Sequence, residues 1–385
     1  MKILHCCLAA FYNDNYGYQE NIMPRMHKLQ GHDVMILAST EVFVDRVNLG
    51  YTNPRKYINE NGIPVHRVPY VSWLPLKIAS KIRLYKGVFD IIEGFKPDVL
   101  FLHDAQFLSI KDIVKYVKVN SNVKLFVDGH TDFGNSARTF LSKWLLHRCI
   151  YQHCINVIKP YVERFYGTLP ARVDFFVNEY KTPVEKTELL VMGADDEFVN
   201  KAKRNNSCKI IRNQFSVKDD DFLIVTGGKF TEGKKQILSV MEGVKRLSGK
   251  FHVKLLIFGS IMDKMKDEFY ALCDGNIVQY IGWINANESY NYFEAANLVI
   301  FPGTHSVLWE QAVGQGKPCI FKYIPGFTHI DIGGNCEFLK KADLDDCMQI
   351  IEKCIINYHS MHTIASTKGL SHFSYYKISE RAILI

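Results

Sequence analysis

The sequence predicts an α/β protein of two Rossmann-like, doubly wound domains facing across a cleft, and three observations carry that prediction. The chain has 385 residues, more than one ordinary core fills. Short apolar runs alternate with amphipathic segments through both halves, the pattern of parallel sheets with covering helices. A polar run at 196–207 interrupts the alternation and is the best linker candidate.

In the first half, residues 2–9 read as an apolar strand, 18–29 as a helix, and Gly31-His32-Asp33 as a turn into a strand at 34–38. A strand at 63–68 and a helical region at 76–94 follow. Lys96-Pro97-Asp98 then leads into a strand at 99–102. Next come a helix at 110–119, a strand at 123–127, a stretch at 140–166 rich in helix formers and aromatics, and an expected strand at 174–177. Residues 189–195 close the half. In the second half the expected strands are 222–226, 253–258, 277–281, 298–301 and 318–321, alternating with helices at 235–247, 262–273, 286–295 and 307–315. The expected domains are residues 1–200, residues 201–365, and a helix at 366–385 returning to the first domain. In such sheets ligands sit outside the carboxyl ends of the strands.

Composition narrows the class. With 47% hydrophobic and 23% charged residues the chain is neither disordered nor of low complexity. No apolar run approaches the roughly 18–20 residues that span a bilayer, so a soluble or peripheral protein is expected. Residues 1–11 resemble a signal peptide but lack a small-residue cleavage site, and read better as a first strand. Ten cysteines without CxxC or paired spacing argue against a disulfide framework or structural zinc, and for a cytosolic, reducing location. His147, Cys149, His153 and Cys154 cluster on one expected helix, where packing explains them. The net charge is +7, with 27 Lys/Arg against 21 Asp/Glu over residues 1–205 and 20 against 19 beyond. That mild bias suits an anionic acceptor or membrane surface. It is too weak for a nucleic-acid partner, and no basic cluster carries interleaved aromatics.

Two segments carry the chemistry. Gly227-Gly228-Lys229-Phe230-Thr231-Glu232-Gly233-Lys234 offers two ammonium groups five residues apart beside glycines, suited to a diphosphate. A solvated lysine-rich turn is the plain alternative. Pro302-Gly303-Thr304-His305-Ser306-Val307 follows an expected strand and presents backbone N–H groups. Glu310, one turn on, is a carboxylate able to accept from a ribose diol or an ordinary first-turn acid. Gly314-Gln315-Gly316-Lys317-Pro318 ends that helix sharply.

Together these segments resemble the retaining glycosyltransferases of family 4, whose pattern is Gly-Arg, a loop ending in Lys-Gly, Pro-Ser, and Glu-x7-Glu followed by Ala-Met-Ala-x-Gly-x-Pro. The likeness runs through most of residues 220–320. It implies the GT-B fold, with Lys229 and Lys234 at the cationic positions that bind the donor diphosphate together with Gly303, Thr304, Ser306 and Val307. Glu310 with its tail through Pro318 is matched to the second glutamate, implying ribose contact, and Gly282-Trp283-Ile284 to the segment that reads the nucleobase. Counting back from Glu310 reaches Pro302, so the first glutamate is absent and the loop is about four residues short. His305 is the polar side chain expected to face the sugar or β-phosphate instead.

The first half carries the acceptor side in this resemblance. Gly17, in Asn13-Asp14-Asn15-Tyr16-Gly17-Tyr18, matches the glycine loop brought up to the donor phosphates. His130, in Asp128-Gly129-His130-Thr131-Asp132, resembles the family histidine near the reacting centre, and Asp104 follows a strand in the same layer. A structural turn is the competing reading of both loops. Residues 73–89 mix Trp, Leu and Ile with lysines and suit either an anionic membrane or a surface helix.

The expected function is retaining transfer of a sugar from a nucleoside-diphosphate sugar, UDP by default, to a saccharide or lipid-linked saccharide in cell-surface polysaccharide synthesis. No metal or other cofactor is expected, and the site is placed in the cytoplasm or at the inner membrane face. A GT-B sugar-nucleotide epimerase or phosphorylase and a catalytically silent nucleotide-sugar-binding subunit are the alternatives.

Overall fold

The computed structural model describes residues 1–44, 48–132 and 149–384. The chain divides into two compact units, Met1–Val191 with Ile378–Ile385, and Met192–Lys377.

The strands of the first unit are β1 (Lys2–Cys7), β2 (Asp33–Ser39), β3 (Glu41–Phe43), β4 (Leu49–Tyr51), β5 (Arg55–Ile58), β6 (Pro64–Val68), β7 (Val99–His103), β8 (Lys124–Gly129), β9 (Arg164–Gly167) and β10 (Thr187–Leu189). Eight form one sheet in the order β10-β9-β8-β7-β1-β2-β6-β5, and β3 with β4 makes a separate hairpin. All pairs in the large sheet are parallel except β5 with β6. Strand β7 is buried along its whole length, and β1 and β8 beyond their first residues. Both faces are covered, which is why these strands read as unbroken apolar runs.

Three expectations are corrected in this region. Residues 174–177 are not a strand but lie in the helix Pro170–Asn178, whose first position carries the proline that helices favour there. The strand of that region is β9, where Phe165 pairs with Val127. The polar run 196–207 is not a linker but supplies the helix Asp196–Arg204 and the start of Ser207–Gln214. Asp195 caps the first of these by accepting the Glu197 N–H at 3.1 Å, and only Val199 and Ala202 of it are buried, so its polarity marks a solvated face. The helical region 76–94 breaks into Leu76–Ile82 and Val88–Phe95, with Arg83 and Gly87 in the left-handed region between them. Residues 140–148 of the aromatic-rich stretch, including His147, lie outside the described residues.

In the second unit the strands are β11 (Phe222–Phe230), β12 (Val253–Ile261), β13 (Val278–Tyr280), β14 (Leu298–Phe301), β15 (Cys319–Lys322) and β16 (Cys336–Leu339). They form one parallel sheet in the order β13-β12-β11-β14-β15-β16. Strand β11 outlasts the expected 222–226 because Gly227 and Gly228 stay in register with β12, Gly228 opposite Gly259. Both Gly228 and Gly259 have positive φ, and a Cβ on Gly259 would lie 1.8 Å from the Gly228 carbonyl oxygen. Only glycine permits that approach. No described helix is long and apolar enough to cross a membrane.

Candidate functional site

In the second unit the strand order reverses at β11, whose neighbours are β12 and β14. The carboxyl ends of β11 and β14 flank that switch point, where open parallel sheets bind ligands. One pocket opens there, lined by Thr226, Gly227, Phe230, Lys234, Phe301, Pro302, Gly303 and Thr304. Lys234 ends the short 3-10 turn Glu232–Lys234, and its ammonium lies 3.6 Å from where a Cβ on Gly228 would stand. The lysine stem covers Gly303, where a Cβ would meet Lys234 Cγ at 2.6 Å and Cα at 3.0 Å. Burial lowers the Lys234 pKa, the mark of a partly desolvated cation. The Thr226 hydroxyl is buried and has no hydrogen-bond partner among the described residues. Lys229 is exposed and does not line the pocket, so the two lysines paired by sequence are unequal.

The loop after β14 holds Thr304 exposed and Val307 44% exposed. The buried Ser306 hydroxyl finds no partner among the described residues. His305 points away from the role expected of it. Its Nε2 lies 2.9 and 3.2 Å from the two carboxylate oxygens of Glu310, and His329 Nε2 lies 3.3 Å from one of them. Glu310 is fully buried. Burial alone would raise its pKa, but His305 and His329 outweigh that and hold it down at about 2. Trp309 stacks on Phe321 with centroids 4.4 Å apart and fixes the helix Leu308–Gly314 that carries Glu310.

This burial bears on the ribose assignment. Counting back seven residues from Pro318 along the motif tail reaches Gln311, not Glu310. The Gln311 amide donates to Ser289 Oγ at 2.6 Å, at the start of the helix Ser289–Ala295 that follows Gly282-Trp283-Ile284. Gly282 has positive φ and its carbonyl accepts the Gly259 N–H at 2.8 Å. Trp283 is 53% exposed and Ile284 half-buried. His329 was not singled out from sequence, since it lies in a turn beyond the last expected strand.

In the first unit the strand order reverses at β1, between β2 and β7. Asp128, the penultimate residue of β8, lies opposite His103 and is fully buried. Its Oδ2 faces His103 Nδ1 at 2.9 Å and accepts from Gln19 Nε2 at 2.9 Å, while Oδ1 lies 3.6 Å from His130 Nε2. Burial alone would raise the Asp128 pKa, but His103 and His130 drive it far below the usual carboxylate range. His130 is pushed down by burial and up, more strongly, by Asp128. It keeps 27% side-chain exposure. Asp104 is turned inward: its φ is +66°, Oδ1 accepts the Ala105 N–H at 2.9 Å and Oδ2 accepts from Thr131 at 3.2 Å. Burial raises its pKa. At Gly17 an added Cβ would meet nothing within 4 Å, so nothing in this conformation demands glycine. His103, Asp128 and His130 each offer a ligand atom within 4.8 Å of the others, and His103 Nδ1 is already paired with Asp128 at 2.9 Å.

Comparison with known proteins adds the following. No family model matches the chain. An uncharacterized glycosyltransferase of Methanocaldococcus jannaschii is 22% identical over 322 residues, 78% of this chain and 77% of that protein. A glycosyltransferase from Rickettsia africae superposes with a TM-score of 0.67 at 13% identity, covering 99% of this chain and 96% of that one. Anabaena HepE, solved in complex with UDP, superposes at 0.65 with 16% identity, covering 99% and 98%. The fold is therefore the two-unit α/β fold of GT-B glycosyltransferases.

Proposed function

We propose that this protein is a retaining glycosyltransferase of the family 4 type, using a nucleoside-diphosphate sugar, with UDP as the nucleotide. The observation that carries the reading is the pocket at the β11/β14 switch point, where a partly desolvated Lys234 stands beside a buried, unpartnered Thr226 hydroxyl. A cation and a hydroxyl donor in a low-dielectric pocket fit phosphate oxygens, and the likeness to a UDP-bound fold relative supports the nucleotide.

In this scheme the bond from the anomeric carbon to the β-phosphate oxygen breaks while Lys234 and Thr226 stabilise the departing diphosphate. The acceptor oxygen bonds to the anomeric carbon on the same face and its proton passes to the leaving phosphate. No protein base or metal is used. Lys229, Gly303, Thr304, Ser306 and Val307 border the diphosphate, Gly282, Trp283 and Ile284 the base. Gln311 replaces Glu310 as the ribose contact, leaving Glu310 to anchor His305. His130, whose pKa Asp128 raises, serves the sugar hydroxyls.

The acceptor is a saccharide or lipid-linked saccharide of cell-surface polysaccharide synthesis. Trp73, Leu76 and Ile78 are 72, 49 and 50% exposed beside exposed Lys77, Lys81 and Lys86, a surface suited to anionic lipid at the cytoplasmic face. The test is calorimetry with UDP followed by turnover of UDP-sugars with saccharide acceptors. Transfer with retained anomeric configuration supports the reading. A product formed from donor alone indicates an epimerase, and tight UDP binding without turnover a silent binding subunit.

A further inference from the structure

A line of buried histidines crosses the first unit behind Asp128. His5 on β1 pairs in register with Phe101 on β7, so His103, two residues on, shares its face. The two rings stack at 5.2 Å, with His5 Nδ1 3.0 Å from His103 Nε2. His5 Nε2 in turn lies 2.9 Å from Nδ1 of His27, on the helix Gln19–Leu29. His27 Nε2 lies 2.8 Å from the carbonyl of Ser379, in the helix Tyr375–Arg381. All three histidines are fully buried.

Counting protons along this line gives a result that no single contact shows. Both ends are acceptors: the Asp128 carboxylate, which also accepts from Gln19 and from the Asp104 N–H at 3.3 Å, and the Ser379 carbonyl. Four hydrogen bonds join the ends, from Asp128 to His103, His103 to His5, His5 to His27 and His27 to Ser379. Each needs one proton, yet three neutral imidazoles carry one N–H each and so supply three. One bond would place two lone pairs face to face, at a cost this interior does not relieve.

We propose that the three histidines hold one proton more than three neutral rings carry, and that this shared charge balances Asp128 and positions it toward His130. The excess proton resides mainly on His103, beside the carboxylate. Burial and the neighbouring histidines push the His5 pKa well down, and burial holds His27 at about 4. The other groups facing the line are His32, whose ring is 6.0 Å from that of His27, and Cys7, a thiol kept neutral by burial. Glu20 and Asp104 stand near the Asp128 end, where Glu20 acts on His130 and Asp104 feels both His130 and Asp128, and Phe101 packs against His5 and His103.

The test is nitrogen-detected NMR of ring protonation in the full chain at pH 8, above the ordinary histidine value of about 6.5. The native protein is expected to show one ring among His5, His27 and His103 with both nitrogens protonated. In His27→Phe the line ends at His5, two neutral rings satisfy its two remaining bonds, and the imidazolium signal is lost. With His103 then neutral, His130 titrates at higher pH. His27→Gln keeps a donor for Ser379 and an acceptor for His5, so three bonds still draw on two rings and the signal is retained, now on His103 or His5. It carries the test if His27→Phe does not fold. Three neutral rings in the native protein at pH 8, or a signal that survives in His27→Phe or vanishes in His27→Gln, overturns the proposal. The readout is ring protonation, so it stands apart from whether a sugar is transferred.

Discussion

Glu310→Gln is the sharpest probe of the second unit. The Glu310 carboxyl moves from an ordinary 4.5 to about 2 under the pull of His305 and His329. A displacement of about 2.5 pH units corresponds to roughly 3 kcal/mol of stability at about 1.36 kcal/mol per unit. Full burial means solvent does little to screen it. A depressed carboxyl contributes fully above its unfolded value and loses that contribution as pH falls toward its folded value. The native protein should therefore exceed Glu310→Gln by roughly 3 kcal/mol at pH 7, with about 1 kcal/mol of that lost at pH 4 and about 2 kcal/mol at pH 3. Urea unfolding followed by circular dichroism at these pH values measures the difference. Equal stability at pH 7, or a difference that does not shrink with acid, would refute the clamp.

Three further outcomes are expected. Lys234→Ala should weaken UDP binding about 10- to 150-fold, the worth of a charge-assisted hydrogen bond, whereas exposed Lys229→Ala should stay within about threefold; calorimetry separates them. Gly303→Ala should displace Lys234 and weaken UDP at least about tenfold, with roughly 1–3 kcal/mol of lost stability from overpacking, read by calorimetry and thermal unfolding. Replacing Trp73 and Leu76 together with serine should lower co-sedimentation with anionic vesicles without changing UDP affinity.

The architecture was legible because its signal is periodic. Strands β7 and β14, buried on both faces, announce themselves as apolar runs, and the glycines at 227, 228 and 303 mark places where backbone meets a phenylalanine ring, the backbone of β12 and a lysine stem. What stayed hidden depends on contacts distant in sequence. The helix Pro170–Asn178 carries a Phe175-Phe176-Val177 run that looks like a strand until its burial is known. The polar face of Asp196–Arg204 looks like a linker because its buried side is only two residues wide. Glu310 and Gln311 are neighbours on one helix turn, and counting from Pro318 rather than from the preceding loop moves the register by one residue. His329 and the His5–His103–His27 line are brought to their partners by tertiary packing alone, and no spacing rule finds them.

The packing of Gly303 beneath Lys234 also limits how this protein could change. Where the family 4 pattern has its first glutamate, this loop has Pro302 or Gly303, depending on whether Glu310 or Gln311 sets the register. A side chain at 303 would strike the lysine's own backbone, so a carboxylate introduced there by one codon change would dislodge the cation the pocket depends on. Recovering the acid takes a longer loop, an insertion rather than a substitution. Short of that, mutational drift at this position is confined to glycine.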